Sequence, residues 1–195
     1  MYLYGASGHA KVIIDILEAS NIEIEALIDD NQNINKLHTY RVLHGITNAS
    51  PIIISIGANL IRKKIAEKLT GTFGLAIHPT AILSPTAKIN VGTVVMQGAI
   101  IQSDTTIGKH CIINTRASVD HECIIEDFVH ISPGAVLCGN VSVGEGTWIG
   151  AGATIAPGIK IGKWSIIGAG AVVVRNVEAN TIVAGVPAKV IKRKE

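Results

Sequence analysis

Aromatic residues make up only 4% of the 195 residues and charged residues 16%. The chain therefore lacks both the rings that stack on bases and the dense basic patch that grips phosphates, and no nucleic-acid partner is expected. A net charge of +2 points the same way. Long apolar runs are missing too, although mean hydropathy is high at +0.41. The apolar residues, 48% of the chain, come in short groups broken by Gly, Asp, Asn or Thr. None approaches the roughly 18 to 20 residues that a membrane-spanning helix needs, so no membrane insertion is expected. Met1 leads into Tyr2-Leu3-Tyr4-Gly5 without the basic and apolar segments of a signal peptide, so a cytoplasmic location is expected. The three cysteines, Cys111, Cys123 and Cys138, form no CxxC pair, which argues against a disulfide framework and against zinc.

What the sequence has in abundance is a repeat of six. Stepping by six from Ile89 gives Val95, Ile101, Ile107, Ile113, Val119, Ile125, Ile131, Leu137, Val143, Ile149, Ile155, Ile161, Ile167 and Val173, all branched and apolar. The positions four further on, from Thr93 and Ala99 to Ala171 and Val177, are all small or β-branched. Six is neither the period of a helix nor that of a strand, so the chain turns a corner once per repeat, and three hexapeptides close one triangular coil. With coils stacked about 4.8 Å apart, residues 89–178 predict a prism about 24 Å tall. Gly92, Gly98, Gly134, Gly146, Gly152, Gly158 and Gly170 recur three residues after the branched position and mark corners. A less regular turn is expected from Ala76 and Ile82, with one extra residue near Lys88 shifting the register. Cys111 and Cys123 fall in the small inward column and read as core.

Residues 1–75 follow another pattern. Tyr2-Leu3-Tyr4 reads as a strand, Gly5-Ala6-Ser7-Gly8-His9 as a tight loop, and Ala10 to Ala19 as a helix with Val12, Ile13, Ile16 and Leu17 on one face. A strand over Glu25 to Ile28 ends at Asp29-Asp30, and another over Pro51 to Ile56 ends at Gly57-Ala58-Asn59 before a helix running to about Leu69. This is a β-α-β start, with loops at the carboxyl ends of parallel strands where open sheets bind ligands. The spacing G-x-G-x-x-G is absent and the segment is short for a dinucleotide fold, so a single nucleotide suits it better than NAD.

Of the seven histidines, His38, His44 and His78 sit in polar loop-like contexts and His110 follows Lys109 at a corner, where surface roles are expected. His121 is followed by Glu122 at a corner, the arrangement of an imidazole base beside a carboxylate. His130 lies nine residues, half a coil, beyond His121. The two face opposite ways in one prism and share a site only if prisms lie side by side, as three do around an axis.

At this point the chain resembles the bacterial sugar acetyltransferases of the hexapeptide-repeat superfamily, of the sialic acid O-acetyltransferase type. It is most similar among them to the UDP-4-amino-sugar N-acetyltransferases of bacillosamine synthesis. The likeness spans the chain and rests on Tyr4-Gly5-Ala6-Ser7-Gly8-His9, Asp29-Asp30, Ile56-Gly57, Asn114-Thr115, His121-Glu122-Cys123, His130 and Gly185-Val186-Pro187-Ala188-Lys189. It implies an α/β, Rossmann-like nucleotide-sugar domain over residues 1–75, an all-β left-handed parallel β-helix over 76–183 and a tail over 184–195, assembled as a homotrimer with acetyl-CoA between adjacent helices. By the same resemblance Ser7, Gly8, His9, Asp29, Asp30 and Gly57 match the nucleotide-sugar pocket, His121 the base and Glu122 the carboxylate that tunes it. His130, Ala151 and Ala169 match acetyl-CoA contacts. The implied chemistry is direct acetyl transfer to a sugar amine, with His121 taking the proton, without a metal and without an acyl-enzyme. Sugar O-acetylation is the alternative within the class. A zinc carbonic anhydrase on the same fold would need His110, His121 and His130 to converge, which their spacings oppose. For the basic run Lys192-Arg193-Lys194, contact with CoA is one reading and a frayed, solvated tail the preferred one.

Overall fold

The computed structural model describes residues 1–193; Lys194 and Glu195 lie outside the described residues. The first strands are parallel because each is followed by a turn or helix that returns the chain to the same edge. β1 (Tyr2–Tyr4) leads into α1 (Gly8–Ala19), then β2 (Ala26–Ile28), the two-residue β3 (Lys36–Leu37), β4 (Tyr40–Leu43), β5 (Ile52–Ile54) and α2 (Asn59–Ala66). The sheet order is β3-β4-β2-β1-β5. β3 and β4 form an antiparallel hairpin that the sequence pattern does not show, its turn carrying His38 at φ 52°. Only Leu37, Tyr40, Val42 and Leu43 are apolar in that stretch, and three of these four are only partly buried.

From Ala76–Ile77 to Val172–Val173 follow β6 to β22, seventeen two-residue strands that stack as a parallel β-solenoid with three faces. Strand pairs are 18 residues apart, as in Ile112 with Val94 and His130. Face one carries Ala76–Ile77, Val94–Val95, Ile112–Ile113, His130–Ile131, Trp148–Ile149 and Ile166–Ile167; face two runs from Ile82–Leu83 to Val172–Val173; face three runs from Lys88–Ile89 to Lys160–Ile161. The branched column from Val95 to Val173 points inward, at most 3% exposed, and the small column beside it is buried as well, at most 9% exposed. Its polar members are satisfied by the stack itself: Thr93 Oγ1 donates to the Gly108 carbonyl at 2.8 Å and accepts from Cys111 N at 3.0 Å.

The column continues unbroken below Ile89, through Leu83 and Ile77, with Ile100 opposite Ile82 and Ile101 opposite Leu83. The extra residue expected near Lys88 does not exist. In the pair Ile82-Leu83 either residue could point in by chemistry alone, and it is Ile82 that faces out, 64% exposed.

α1 packs between the sheet and face one. Ile13, Ile16 and Leu17 join Leu3, Val94, Met96 and Ile112 in a single cluster, so the N-terminal sheet and the lower solenoid share a core. Each such Ile or Leu contributes about 1.5–3 kcal/mol by burial. At the other end β23 (Thr181–Ala184) extends face one, and β24 (Lys189–Arg193) pairs with it antiparallel. The expected frayed tail is therefore a strand as far as Arg193, because β23 would otherwise leave its outer edge unpaired. No helix among the described residues is long and apolar enough to cross a membrane.

Candidate active site

β1 and β2 are joined through α1, whereas β5 lies on the other side of β1. The strand order therefore switches direction between β1 and β5, and the carboxyl ends of strands at such a switch are where open α/β sheets take ligands. Gly5 ends β1 at φ +112°, and a Cβ there would stand 2.7 Å from Ile56 Cδ1. Gly8 and Gly57 have open space where a Cβ would be. Ser7 is the N-cap of α1 and makes no side-chain cap bond, so the first N–H groups of the helix are available to an anionic group.

Asp29 has both oxygens engaged: Oδ2 accepts from Ala6 N at 2.8 Å and Oδ1 from Asn31 N at 2.9 Å. It holds the glycine loop in place. Asp30 accepts from the Tyr4 hydroxyl at 2.6 Å, and burial together with that carboxylate pushes the Tyr4 phenol up to about 12. His44 joins the same loop rather than solvent, its Nδ1 2.8 Å from the Asp29 carbonyl and its Nε2 buried without a partner.

His9 on α1 and His130 on face one both feel the buried Arg62 charge. Burial and the nearby Arg62 charge push His9 down to about 4, and its Nε2 is buried without a partner. Burial, Arg62 and His9 push His130 down to about 3, against the opposing effect of the Gly57 backbone. Asn114 Oδ1 accepts from Thr115 N at 2.8 Å, which turns its Nδ2 toward His130 Nε2 at 3.0 Å. His130 Nε2 is thus an acceptor, and the ring's proton sits on Nδ1. The ring stacks on Trp148 at 5.8 Å between centroids.

His121 stands elsewhere. It occupies the corner between faces two and three, the vertex opposite face one. Its Nδ1 lies 3.1 Å from Glu122 Oε2, and both side chains are more than half exposed, 56% and 66%. Glu122 takes φ 59°, so its corner turns the carboxylate back beside the imidazole. With Nδ1–H donated to the carboxylate, Nε2 presents a lone pair to solvent. The ring lies over Gly139 of the next coil, where a Cβ would come within 2.7 Å of Nε2.

Ala151 and Ala169 lie one above the other at the corner between faces one and two, linked by Gly170 N to the Ala151 carbonyl at 2.8 Å. Gly134, Gly152 and Gly170 at this edge have open space at the Cβ position, leaving room along it for an extended ligand such as a pantetheine arm.

His110 is not at the surface. It is 4% exposed, stacked on Phe128 at 5.1 Å with Phe73 edge-on at 4.4 Å, and burial pushes it down to about 4. Gly92 beneath it leaves room for the ring. His110, His121 and His130 thus belong to two different corners and a face, and they do not converge. Cys111 and Cys123 are fully buried in the core, and burial pushes the Cys111 thiol up to about 12, so neither is placed to act as a nucleophile.

Sequence reasoning missed Arg62, which is 1% exposed in α2. It donates from Nε to the His110 carbonyl at 2.8 Å, from Nη1 to the Ile56 and Gly57 carbonyls at 3.0 Å each, and from Nη2 to Asn59 Oδ1 and the Phe128 carbonyl at 2.9 Å each. The signal was inverted, since Leu60 and Ile61 beside it are exposed, 53% and 52%.

Comparison with known proteins agrees with this layout. The family described as PglD N-terminal domain matches residues 1–69, and the bacterial transferase hexapeptide family matches residues 140–175. The chain is 30% identical to the GDP-perosamine N-acetyltransferase of Escherichia coli O157:H7 over 76% of its own length and 74% of that protein. It is 41% identical to the UDP-N-acetylbacillosamine N-acetyltransferase of Bacillus subtilis over 48% of its length and 50% of that protein. The structure of PerB from Caulobacter crescentus, in complex with CoA and GDP-perosamine, superposes with a TM-score of 0.91 and 35% identity, over 98% of this chain and 96% of that one. The chain spans between 24% and 52% of the length of the first curated relatives it matches. A parallel β-solenoid of hexapeptide repeats carrying an α/β domain on one face is the architecture these relatives share. Within that architectural class, the chain belongs to the family of sugar N-acetyltransferases that contains the perosamine and bacillosamine enzymes.

Proposed function

We propose that the chain transfers an acetyl group from acetyl-CoA to the amine of a nucleotide-activated 4-amino-4,6-dideoxy sugar. The carrying observation is the open space at Gly8 and Gly57, beyond the carboxyl ends of β1 and β5, in the same chain as an exposed His121 whose Nδ1 is engaged by Glu122. In this reading residues 1–75 hold the nucleotide sugar through Ser7, Gly8, His9, Asp30 and Gly57, with Asp29 shaping the loop. CoA runs along the open edge past Ala151 and Ala169. The neutral His130 faces it from face one.

His121 Nε2 takes a proton from the amine as the nitrogen attacks the thioester carbonyl. The carbonyl oxygen becomes an oxyanion held by a backbone N–H, collapse expels the CoA thiolate, and the sugar amide remains. One chain holds His121 and the Gly8 and Gly57 loops on opposite sides of the prism, so the working unit is a homotrimer in which the base of one subunit meets the nucleotide sugar of its neighbour. Face two suits that contact: its outward residues Ile82, Ile100, Ser118, Val136, Thr154 and Val172 carry no charge.

The test is thiol release from acetyl-CoA with UDP- and GDP-linked 4-amino sugars beside the corresponding 4-hydroxy sugars. Amine-dependent release that disappears in His121→Ala supports the reading. Release with hydroxyl acceptors alone would replace it with O-acetylation.

A further inference from the structure

A guanidinium has five N–H bonds, and in Arg62 all five find acceptors, yet every acceptor is neutral. The ion pairs among the described residues involve Lys63 and His121, not Arg62. A buried cation without a counter-ion is costly, and a well-packed apolar side chain serves stability as well or better. The positions of the acceptors show what an apolar residue would lose. The Ile56 and Gly57 carbonyls belong to the loop that follows β5. The His110 and Phe128 carbonyls belong to corners of two successive coils, 18 residues apart. Asn59, the fifth acceptor, continues the line by donating Nδ2 to the Gly146 carbonyl at 3.0 Å on the next coil.

We infer that Arg62 is a positioning residue that sets the nucleotide-sugar pocket at a defined place relative to the solenoid, by binding the Gly57 loop and two coil corners to one rigid fork. The planar guanidinium reaches three pieces of chain at once, which an ammonium on a flexible stem does not. This deepens the proposed acetyl transfer and rests on it. Reaction at a site shared between subunits demands such a device, because the amine is carried by the α/β domain of one chain while the base is carried by the solenoid of another. Arg62 touches neither substrate in this arrangement and acts through Gly57 and, by its charge, on the neutral His9 and His130.

The test uses the assembled protein with Arg62→Lys and, as a milder lesion, Asn59→Ala. For Arg62→Lys, kcat/KM for the UDP- or GDP-linked amino sugar is expected to fall about 10- to 100-fold, the scale of losing several hydrogen bonds from a charged donor. The dissociation constant of CoA, measured by calorimetry, should change by less than about 3-fold, since Arg62→Lys keeps the positive charge that acts on His130 and the rest of the CoA path runs along the solenoid edge. Asn59→Ala should move the sugar parameters in the same direction by a smaller factor and keeps the inference testable if Arg62→Lys does not fold. Equal losses for both ligands, or an unchanged kcat/KM in a folded Arg62→Lys protein, overturns it. Hydrogen exchange separates this from the activity: even if the wild-type protein transferred no acetyl group to any of these sugars, Arg62→Lys should deprotect the amides of residues 56–66 while the solenoid amides keep their protection. Unchanged exchange there would refute the clamp on its own.

Discussion

At the scale of single residues, reactivity is decided by what lies within one hydrogen bond or one coil of the group. His121 keeps Nε2 open because Glu122 occupies Nδ1, and its ring rests on a residue without a side chain. General-base catalysis is worth about 10²- to 10⁴-fold, so His121→Ala should lower kcat by that factor with CoA binding nearly unchanged. Glu122→Gln should cost less, because the imidazole stays in place. Retention of more than about half the wild-type kcat in His121→Ala, with chemistry rate-limiting, would move the base elsewhere. Gly139→Ala isolates position from identity: the new methyl collides with the imidazole, which is exposed and swings away, so the fold survives. Its kcat should fall about 10-fold or more with a melting temperature close to wild type, and an unchanged kcat would show that the ring position over Gly139 is not the reactive one. The pair His121-Glu122 was readable from sequence, as adjacent residues at a corner share a neighbourhood. Gly139 was not, because its partner lies 18 residues back and meets it only when coils stack.

At the scale of elements, the corners carry the regularity. Residues with positive φ recur every six positions, as at Gly98, Asp104, His110, Arg116, Glu122, Phe128 and Gly134. Glycine marks only some of them, and the stacked backbone imposes the same turn on Phe128 and Arg116. α2 shows the opposite lesson, for its apolar Leu60 and Ile61 face outward and its Arg62 inward. Hydrophobic periodicity assumes that the buried side is an apolar core, whereas α2 lies against carbonyl-bearing corners. The junction it forms also sets a pH dependence. His9 and His110 are pushed down to about 4 and His130 to about 3, below the ordinary value near 6.5 that an unfolded chain shows. Between those values the unfolded state binds more protons, so stability is complete above about pH 6.5 and falls on acidification toward pH 4, by about 1.4 kcal/mol per pH unit for each group. Urea titrations at pH 7 and pH 5 should show this loss, with a shallower slope in His110→Phe. Equal stability at the two pH values would contradict the buried, neutral assignment.

At the scale of the whole molecule, a single chain is an incomplete catalyst in the proposed reading. Light scattering should find a trimer of about 60 kDa, three times 20.5 kDa, and a monomer at micromolar concentration would remove the shared site. A sharper expectation concerns mixed trimers. Asp29→Ala removes the carboxylate that holds the Ala6 and Asn31 amides, which should weaken nucleotide-sugar binding and leave CoA binding intact. Co-expressed with His121→Ala, it should regain activity absent from either variant alone, because some interfaces then pair an intact loop with an intact base. Failure of the mixture to recover any activity would place base and loop in the same subunit.

The sequence by itself determined the solenoid, its inward columns, the β-α-β start and the His–Glu corner. Each of these follows from contacts between neighbours or from a strict period, and a repeat of six has one regular solution for burying its branched residues. Only the tertiary structure decided that His110 is core, that His44 and Asp29 serve the glycine loop, that His130 is a neutral acceptor beside His9, and that Arg62 joins the two domains. These depend on groups from 15 residues apart, as in His44 and Asp29, to 121 apart, as in His9 and His130. Their environment is a low-dielectric junction that exists only after the α/β domain has docked on face one, and no local pattern encodes the burial that gives them their properties.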